Sequence, residues 1–209
     1  MLRLAVFLGN PGIKYRRNRH NAGWMLAEAL EIYPVLNWQD KFRALYVGLE
    51  KYHFLKPQVY MNLSGKSVLA AASFYKINID EIIVVHDDIE LPLGTISLKF
   101  SGGLGGHNGL RSIKASLGSA DFWRLRIGIG RPDDRVPGKG GSIEASRNAG
   151  IADWVLSNFT AAETEILTPV FNTGAELLVK AFTAGPETLL PEWAKKSACL
   201  CVEENTCLD

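Results

Sequence analysis

The chain has 209 residues and a mass of 23.0 kDa, enough for one domain with a sizeable core or for two small ones. Hydrophobic residues make up 47% and charged residues 22%, which excludes a disordered chain or a fibrous repeat, and no apolar run approaches the roughly 18 residues a membrane helix needs. The net charge of +1 taken whole argues against a nucleic-acid partner, but it is unevenly spread: residues 1–139 carry 19 Lys+Arg against 12 Asp+Glu, and residues 140–209 carry 4 against 10.

Leu4–Leu8 is a continuous apolar run ending at Gly9, the pattern of a central strand buried on both faces and too short for a signal-peptide core. Residues 22–33 place Met25, Leu26, Ala29, Leu30 and Tyr33 on one helical stripe, with Asn21 as N-cap. Strands are expected near Leu45–Glu50 and Tyr52–Leu55, ending at Pro57. Ser64 opens a helix whose stripe is Val68, Leu69, Ala72 and Tyr75. Ile82–Val85 is a second buried strand running into His86-Asp87-Asp88. Thr95–Phe100 alternates, with Ser97 and Lys99 on its polar face, and Arg124–Gly130 alternates with Arg124 and Arg126 outward. Between them the glycine loop Gly102–Gly106 leads to a helix near Gly109–Leu117. Residues 131–150 show no periodicity and are expected to form a long functional loop, such as a lid. Thr160 and Glu163 form a capping box for a last helix, which Pro169 is expected to kink or split. The chain after Pro186 is expected to be loose. Strands alternating with helices define an α/β class with a mixed, mostly parallel sheet flanked by helices, as one domain over residues 1–190 with a tail at 191–209.

The three cysteines, Cys199, Cys201 and Cys207, all lie in that tail and cannot staple the body of the fold, which suits a reducing compartment. Two phosphate-loop patterns fail. Gly65-Lys66-Ser67 lacks the upstream Walker glycine, where Tyr60 stands, and the run Gly102–Gly106 ends at Asn108 where a dinucleotide fingerprint needs glycine. No H-x-x-x-H spacing supports a metal, and no Gly-x-Ser-x-Gly elbow or His-adjacent cysteine supports a covalent nucleophile.

What remains are polar residues on loops that follow strands: Asn10, His20, Asn21, Asp87, Asp88, His107 and Asn108. Ligands of open α/β sheets bind outside the carboxyl ends of the strands, so these residues can converge on one cleft. His20 is the best general-base candidate, because an imidazole titrates near neutrality and a helix N-terminus disfavours its cation. Asp87 or Asp88 is its carboxylate partner, and alternation, which sends them to opposite faces, does not choose between them. A His–Asp pair among amides suits water-mediated hydrolysis of an activated acyl bond such as an ester. Lys14, Arg16, Arg17 and Arg19 form one basic cluster, and Arg111, Lys114, Arg124, Arg126, Arg131 and Arg135 another; each is either a solvated face or a polyanion footprint.

The strings GNPGIKYRRNRHNAGW (9–24), MNLSGKSV (61–68), VVHDDIELPLG (84–94), GGLGGHNGLRSI (102–113), FWRLRIGIGRP (122–132) and WVLSNF (154–159) follow one another in order. Together they closely resemble bacterial-type peptidyl-tRNA hydrolase. The resemblance implies a cytoplasmic monomer with no metal or cofactor and no membrane association. It implies hydrolysis of the ester between a peptide and the terminal ribose of tRNA, recycling tRNA from stalled or dropped translation products, with the acceptor stem and CCA end bound. By position it makes His20 the base that activates water, Asp87 its partner, and Asn10 the amide that orients the substrate carbonyl and the histidine. It makes Asn62 and Asn108 holders of the peptide and the terminal nucleotide, with Tyr15 and Tyr60 in the substrate site. Lys99 and Arg126 become a clamp for the tRNA 5′ phosphate, and their shared polar sheet face supports that role. Leu104 stands where a histidine is frequent, Ser101 where a glycine is, and Tyr60 where a phenylalanine is. A non-catalytic RNA-binding protein on the same fold is the alternative, which the His20–Asp87–Asn10 set disfavours.

Overall fold

The apolar run at the N-terminus becomes β1 (Leu4–Phe7), which lies at the centre of the sheet with all four residues buried. The structure is a computed structural model that describes residues 1–132 and 144–194. The other strands are β2 (Gln39–Lys41), β3 (Ala44–Leu49), β4 (Tyr52–Pro57), β5 (Ile82–Asp88), β6 (Ile96–Phe100) and β7 (Trp123–Gly128). Among the described residues they form one seven-stranded mixed sheet in the order β2-β3-β4-β1-β5-β7-β6. The central strands β4, β1, β5 and β7 are mutually parallel, and both edges are antiparallel.

Strict alternation along β1 and β5 divides the core in two. Ala5, Phe7, Ile83 and Val85 point to one face, where they pack with α1 (Ala22–Glu28) and α5 (Ala161–Ala184). Leu4, Val6, Ile82 and Val84 point to the other, against α2 (Ser64–Tyr75) and α3 (Asn108–Leu117). Each fully buried valine, leucine, isoleucine or phenylalanine among these contributes roughly 1.5–3 kcal/mol. Two glycines permit the close approach of helix to sheet and helix to helix. A Cβ on Gly23 would stand 2.6 Å from the carbonyls of Leu8 and Val85, and one on Gly65 would stand 2.1 Å from that of Ser112. Gly23 thus lets α1 sit directly against β1 and β5.

Several expectations are corrected. The first helix ends at Glu28 rather than residue 33, and a short 3₁₀ turn with Pro34 inside it, Tyr33–Val35, follows after four residues of turns. The Asn21 side chain does not cap α1 and bonds the backbone of Asn10 instead. A helix, α4 (Glu144–Leu156), occupies the end of the segment expected to be a loop. The Thr160–Glu163 capping box opens α5, and α5 continues through Pro169 for 24 residues without splitting. Pro169 lies on the exposed side, where water can satisfy the carbonyl it frees. Past Pro186 the chain forms α6 (Pro186–Trp193), whose Leu189, Leu190 and Trp193 pack on the core. The lid expectation for residues 133–143 and the cysteine tail lie outside the described residues.

Arg19 is a further correction. It belongs to the first basic cluster in sequence, yet only 1% of it is exposed. Its guanidinium donates to Glu163 Oε2 at 3.0 Å and to Ser157 Oγ at 3.1 Å, and it stacks over Trp154 at 3.8 Å. Burial pushes the guanidinium down to about 10. The pair ties the segment before His20 to the ends of α4 and α5. Removing one partner of a buried pair leaves an uncompensated charge and costs about 3–5 kcal/mol. Glu163→Ala is therefore expected to lose about that much unfolding free energy in a denaturant titration, and Arg19→Met with Glu163→Leu to lose less. Near-wild-type stability of Glu163→Ala would contradict the assignment.

Candidate active site

The chain passes from β1 to strands on one side of it, then returns to place β5 on the other side. The carboxyl ends of β1 and β5 therefore flank the point where the connections diverge, the position at which an open α/β sheet leaves a crevice. Asn10 follows β1, His20 lies in the 3₁₀ turn Arg19–Asn21 that leads into α1, and Asp87 lies near the end of β5.

Asp87 is 2% exposed, and its carboxylate is shared by two imidazoles. His20 Nδ1 lies 2.9 Å from both Asp87 oxygens, and His107 Nε2 lies 3.0 Å from Oδ1. Backbone geometry fixes the second tautomer. His107 is the N-cap of α3, and its Nδ1 accepts the Gly109 and Leu110 N–H groups at 3.1 and 3.4 Å. Its proton must therefore be on Nε2, pointing at Asp87. His20 likewise donates Nδ1–H to the carboxylate, which leaves the Nε2 lone pair as its basic atom. Burial alone would raise the Asp87 carboxyl. The charge interactions and hydrogen bonds of His20 and His107 outweigh it and hold Asp87 well below the usual carboxylate range.

Alternation separates the neighbouring acids. Asp88 turns to the opposite face and accepts from Arg126 Nε at 2.8 Å. His86, on the same strand, donates Nδ1–H to the Asp87 carbonyl at 2.7 Å. Burial, and after it the facing His107 imidazole, push His86 far down, so it is neutral. Its buried Nε2 has no partner among the described residues.

A cavity of about 700 Å³ opens over this network. His20, Asp87, Asn108, the glycine loop and Ile151, Ala152 and Val155 of α4 line it. Of the polar loop residues singled out in the sequence, His20, Asp87, Asp88, His107 and Asn108 line it, whereas Asn10 and Asn21 do not. Asn10 is buried, with its Oδ1 accepting the Met61 N–H at 2.8 Å, so what it can offer a ligand is its Nδ2 donor. Among the described residues its side chain makes no hydrogen bond to His20. Asn62 and Tyr60 are exposed around the 3₁₀ turn Met61–Leu63, and Tyr15 is half-buried on the turn that follows Asn10. Lys99 and Arg126 share one face of β6 and β7, in the register Lys99↔Arg124 and Ser97↔Arg126; neither lines the cavity, but Arg126 bonds Asp88, which does. Arg124 is not a surface cation. It is 2% exposed and donates to the carbonyls of Ser101, Gly102 and Gly103, holding the glycine loop in place.

The structure adds His107 as the second imidazole on Asp87; in the sequence it stood only among the polar loop residues. The signal for it was its position immediately before α3. The three ligand atoms of His20, Asp87 and His107 lie within 4.8 Å of one another. A metal on His107 Nε2 would force the ring proton onto Nδ1, against two backbone N–H groups. The arrangement therefore fits a hydrogen-bonded relay better than a coordination site.

Comparison with known proteins agrees with the fold. The family model described as Peptidyl-tRNA hydrolase matches residues 4–199. A peptidyl-tRNA hydrolase of Treponema pallidum is 45% identical over 205 residues, covering 93% of this chain and 96% of the relative. One from Dichelobacter nodosus is 42% identical over 193 residues, covering 90% and 95%. Among solved structures, peptidyl-tRNA hydrolase from Acinetobacter baumannii superposes with a TM-score of 0.71 at 31% identity, covering 92% of this chain and 96% of that one. With its motifs in order and near-complete coverage of each relative, the chain belongs to the peptidyl-tRNA hydrolase family.

Proposed function

We propose that this enzyme hydrolyses the ester between a peptide and the terminal ribose of tRNA, with His20 as general base and no covalent intermediate. The observation that carries this reading is the Asp87 carboxylate held by two imidazoles of opposite tautomer, which leaves the Nε2 lone pair of His20 as the basic site. His20 Nε2 takes a proton from water, and Asp87 stabilises the imidazolium through Nδ1–H. The hydroxide adds to the ester carbonyl. The Asn10 amide donates to the developing oxyanion. The tetrahedral intermediate then collapses, the bond from carbonyl carbon to ribose oxygen breaks, and the imidazolium returns its proton to that oxygen.

Asn62, Tyr15 and Tyr60 surround the approach and contact the peptide or the RNA end, while Asn108 at the cavity holds the terminal nucleotide. Lys99 and Arg126 receive the 5′ phosphate of the acceptor stem. Asp88 holds Arg126 by Nε and orients its terminal nitrogens toward such an anion. A phosphate clamp fixes position without reading sequence, which suits an enzyme that must accept many tRNAs. No helix among the described residues is long and apolar enough to cross a membrane. We read the enzyme as a cytoplasmic monomer that acts alone and without a cofactor, freeing tRNA from dropped or stalled products.

Two measurements test the assignment. With N-acetyl-aminoacyl-tRNA, release of acid-soluble label is expected to fall at least ~10²-fold in His20→Ala, the low end for a general base. Asp87→Asn is expected to lower kcat with little change in KM, and full activity in His20→Ala would refute the mechanism. Replacing Lys99 or Arg126 by Ala is expected to raise KM for tRNA substrates and to reduce the salt slope by about one unit per removed phosphate contact. An unchanged slope would remove them from the clamp.

A further inference from the structure

The first basic cluster divides once folded. Arg19 turns inward to Glu163, whereas Lys14, Arg16 and Arg17 remain exposed, and among the described residues none of these three forms an ion pair. They sit on the segment that joins Asn10 to His20, so both ends of it are site residues. The segment is built to hold its shape. Gly12 takes a φ of +111° that favours glycine, and the turn closes with Tyr15 N–H to Gly12 O at 3.0 Å and Asn18 N–H to Tyr15 O at 2.9 Å. Beyond the turn, Phe159 N–H donates to Arg17 O at 3.2 Å and Asn18 bridges to Asn158, so the segment is pinned to the chain between α4 and α5.

Apolar and aromatic surface lies among these charges. Ile13 is 92% exposed and Tyr60 is 58% exposed. Lys14 Nζ stands 4.8 Å over the Tyr15 ring, with Tyr60 nearby. Single-stranded nucleic acid is bound by this combination, cations along the backbone and flat apolar faces for bases. A peptide of arbitrary sequence carries no fixed charge, whereas RNA carries one phosphate per nucleotide. Three uncompensated cations therefore match the RNA better than the peptide.

We propose that the Gly12–Arg17 turn is a second phosphate-binding surface, specific to the single-stranded 3′ end of the tRNA and separate from the Lys99–Arg126 clamp. Its cations contact the last few phosphates before the ester, and Ile13 and Tyr60 offer faces on which a base stacks. This rests on the ester-hydrolase reading above. The turn fixes the single strand next to the chemistry, while the clamp fixes the 5′ phosphate where the paired stem begins.

The test compares wild type with a Lys14→Ala, Arg16→Ala, Arg17→Ala triple variant on two substrates. One is N-acetyl-aminoacyl-tRNA, and the other is the same N-acetyl-aminoacyl ester on adenosine alone, which has no phosphate. The three side chains are exposed, so the variant is expected to melt with wild type. For the tRNA substrate KM is expected to rise about 10-fold or more, and the slope of log kcat/KM against log salt to become shallower by about 2, at roughly 0.7 per single-strand phosphate contact. The adenosine ester is expected to be cleaved equally by both. An unchanged KM and slope on tRNA would overturn the proposal. So would a defect that persists on the adenosine ester or grows with acidic residues in the peptide, which would assign the turn to the peptide. Failure of wild type to cleave either substrate would instead overturn the hydrolase reading on which the proposal rests.

Discussion

The site depends on one carboxylate. Asp87 is buried where an isolated charge would be unstable, and it stays ionised because two imidazole N–H groups point at it from different elements. Each imidazole is constrained in a different way. The α3 backbone fixes the His107 tautomer, and the Asp87 carboxylate itself fixes that of His20. The result is a base whose free lone pair is determined by hydrogen bonds rather than chosen by solvent. Sharing the carboxylate also spreads its charge over two donors, so His107 positions Asp87 and moderates how strongly it can stabilise an imidazolium on His20.

The rest of the fold supplies the positions. Gly23 brings α1 onto β1 and β5, and so brings the turn carrying His20 over the end of β5. Arg124 gathers the carbonyls of the glycine loop, and that loop delivers His107 and Asn108 to the N-terminus of α3. Arg19 and Glu163 fasten the other side of the His20 turn to α4 and α5, and α4 in turn forms a wall of the cavity. Three elements distant in sequence therefore converge on one atom pair, each through a contact that a single substitution can remove.

Much of this was legible in the residues. The apolar runs of β1 and β5, the alternation of β6 and β7, and the capping box of α5 carry their periodicity openly, and the hydrogen-bonded partner of His20 matches the acid that the family motif indicated. The misreadings have a common physical form. Arg19 and Arg124 look like surface charge in a basic cluster, but each is buried against acceptors supplied by residues at least 20 positions away, which no local pattern encodes. Asn21 has the residue type of a cap, but Asn10 competes for its amide and wins. Pro169 obeys the rule that it removes a helix hydrogen bond, yet its exposed position makes that loss tolerable. His107 was invisible as a partner of Asp87 because its role comes from meeting a strand end 20 residues earlier in the chain.

The tautomer of His20 tests the account most directly. Selective ¹⁵N labelling of histidine, with assignment of the His20 and His107 ring nitrogens by NMR near pH 8, reports which nitrogen of each ring carries the proton. Nδ1–H on His20 with a free Nε2 is expected, together with Nε2–H on His107 and its Nδ1 accepting from the α3 backbone. A proton on Nε2 of His20 at that pH would contradict it, because the atom assigned to activate water would then have no lone pair to offer.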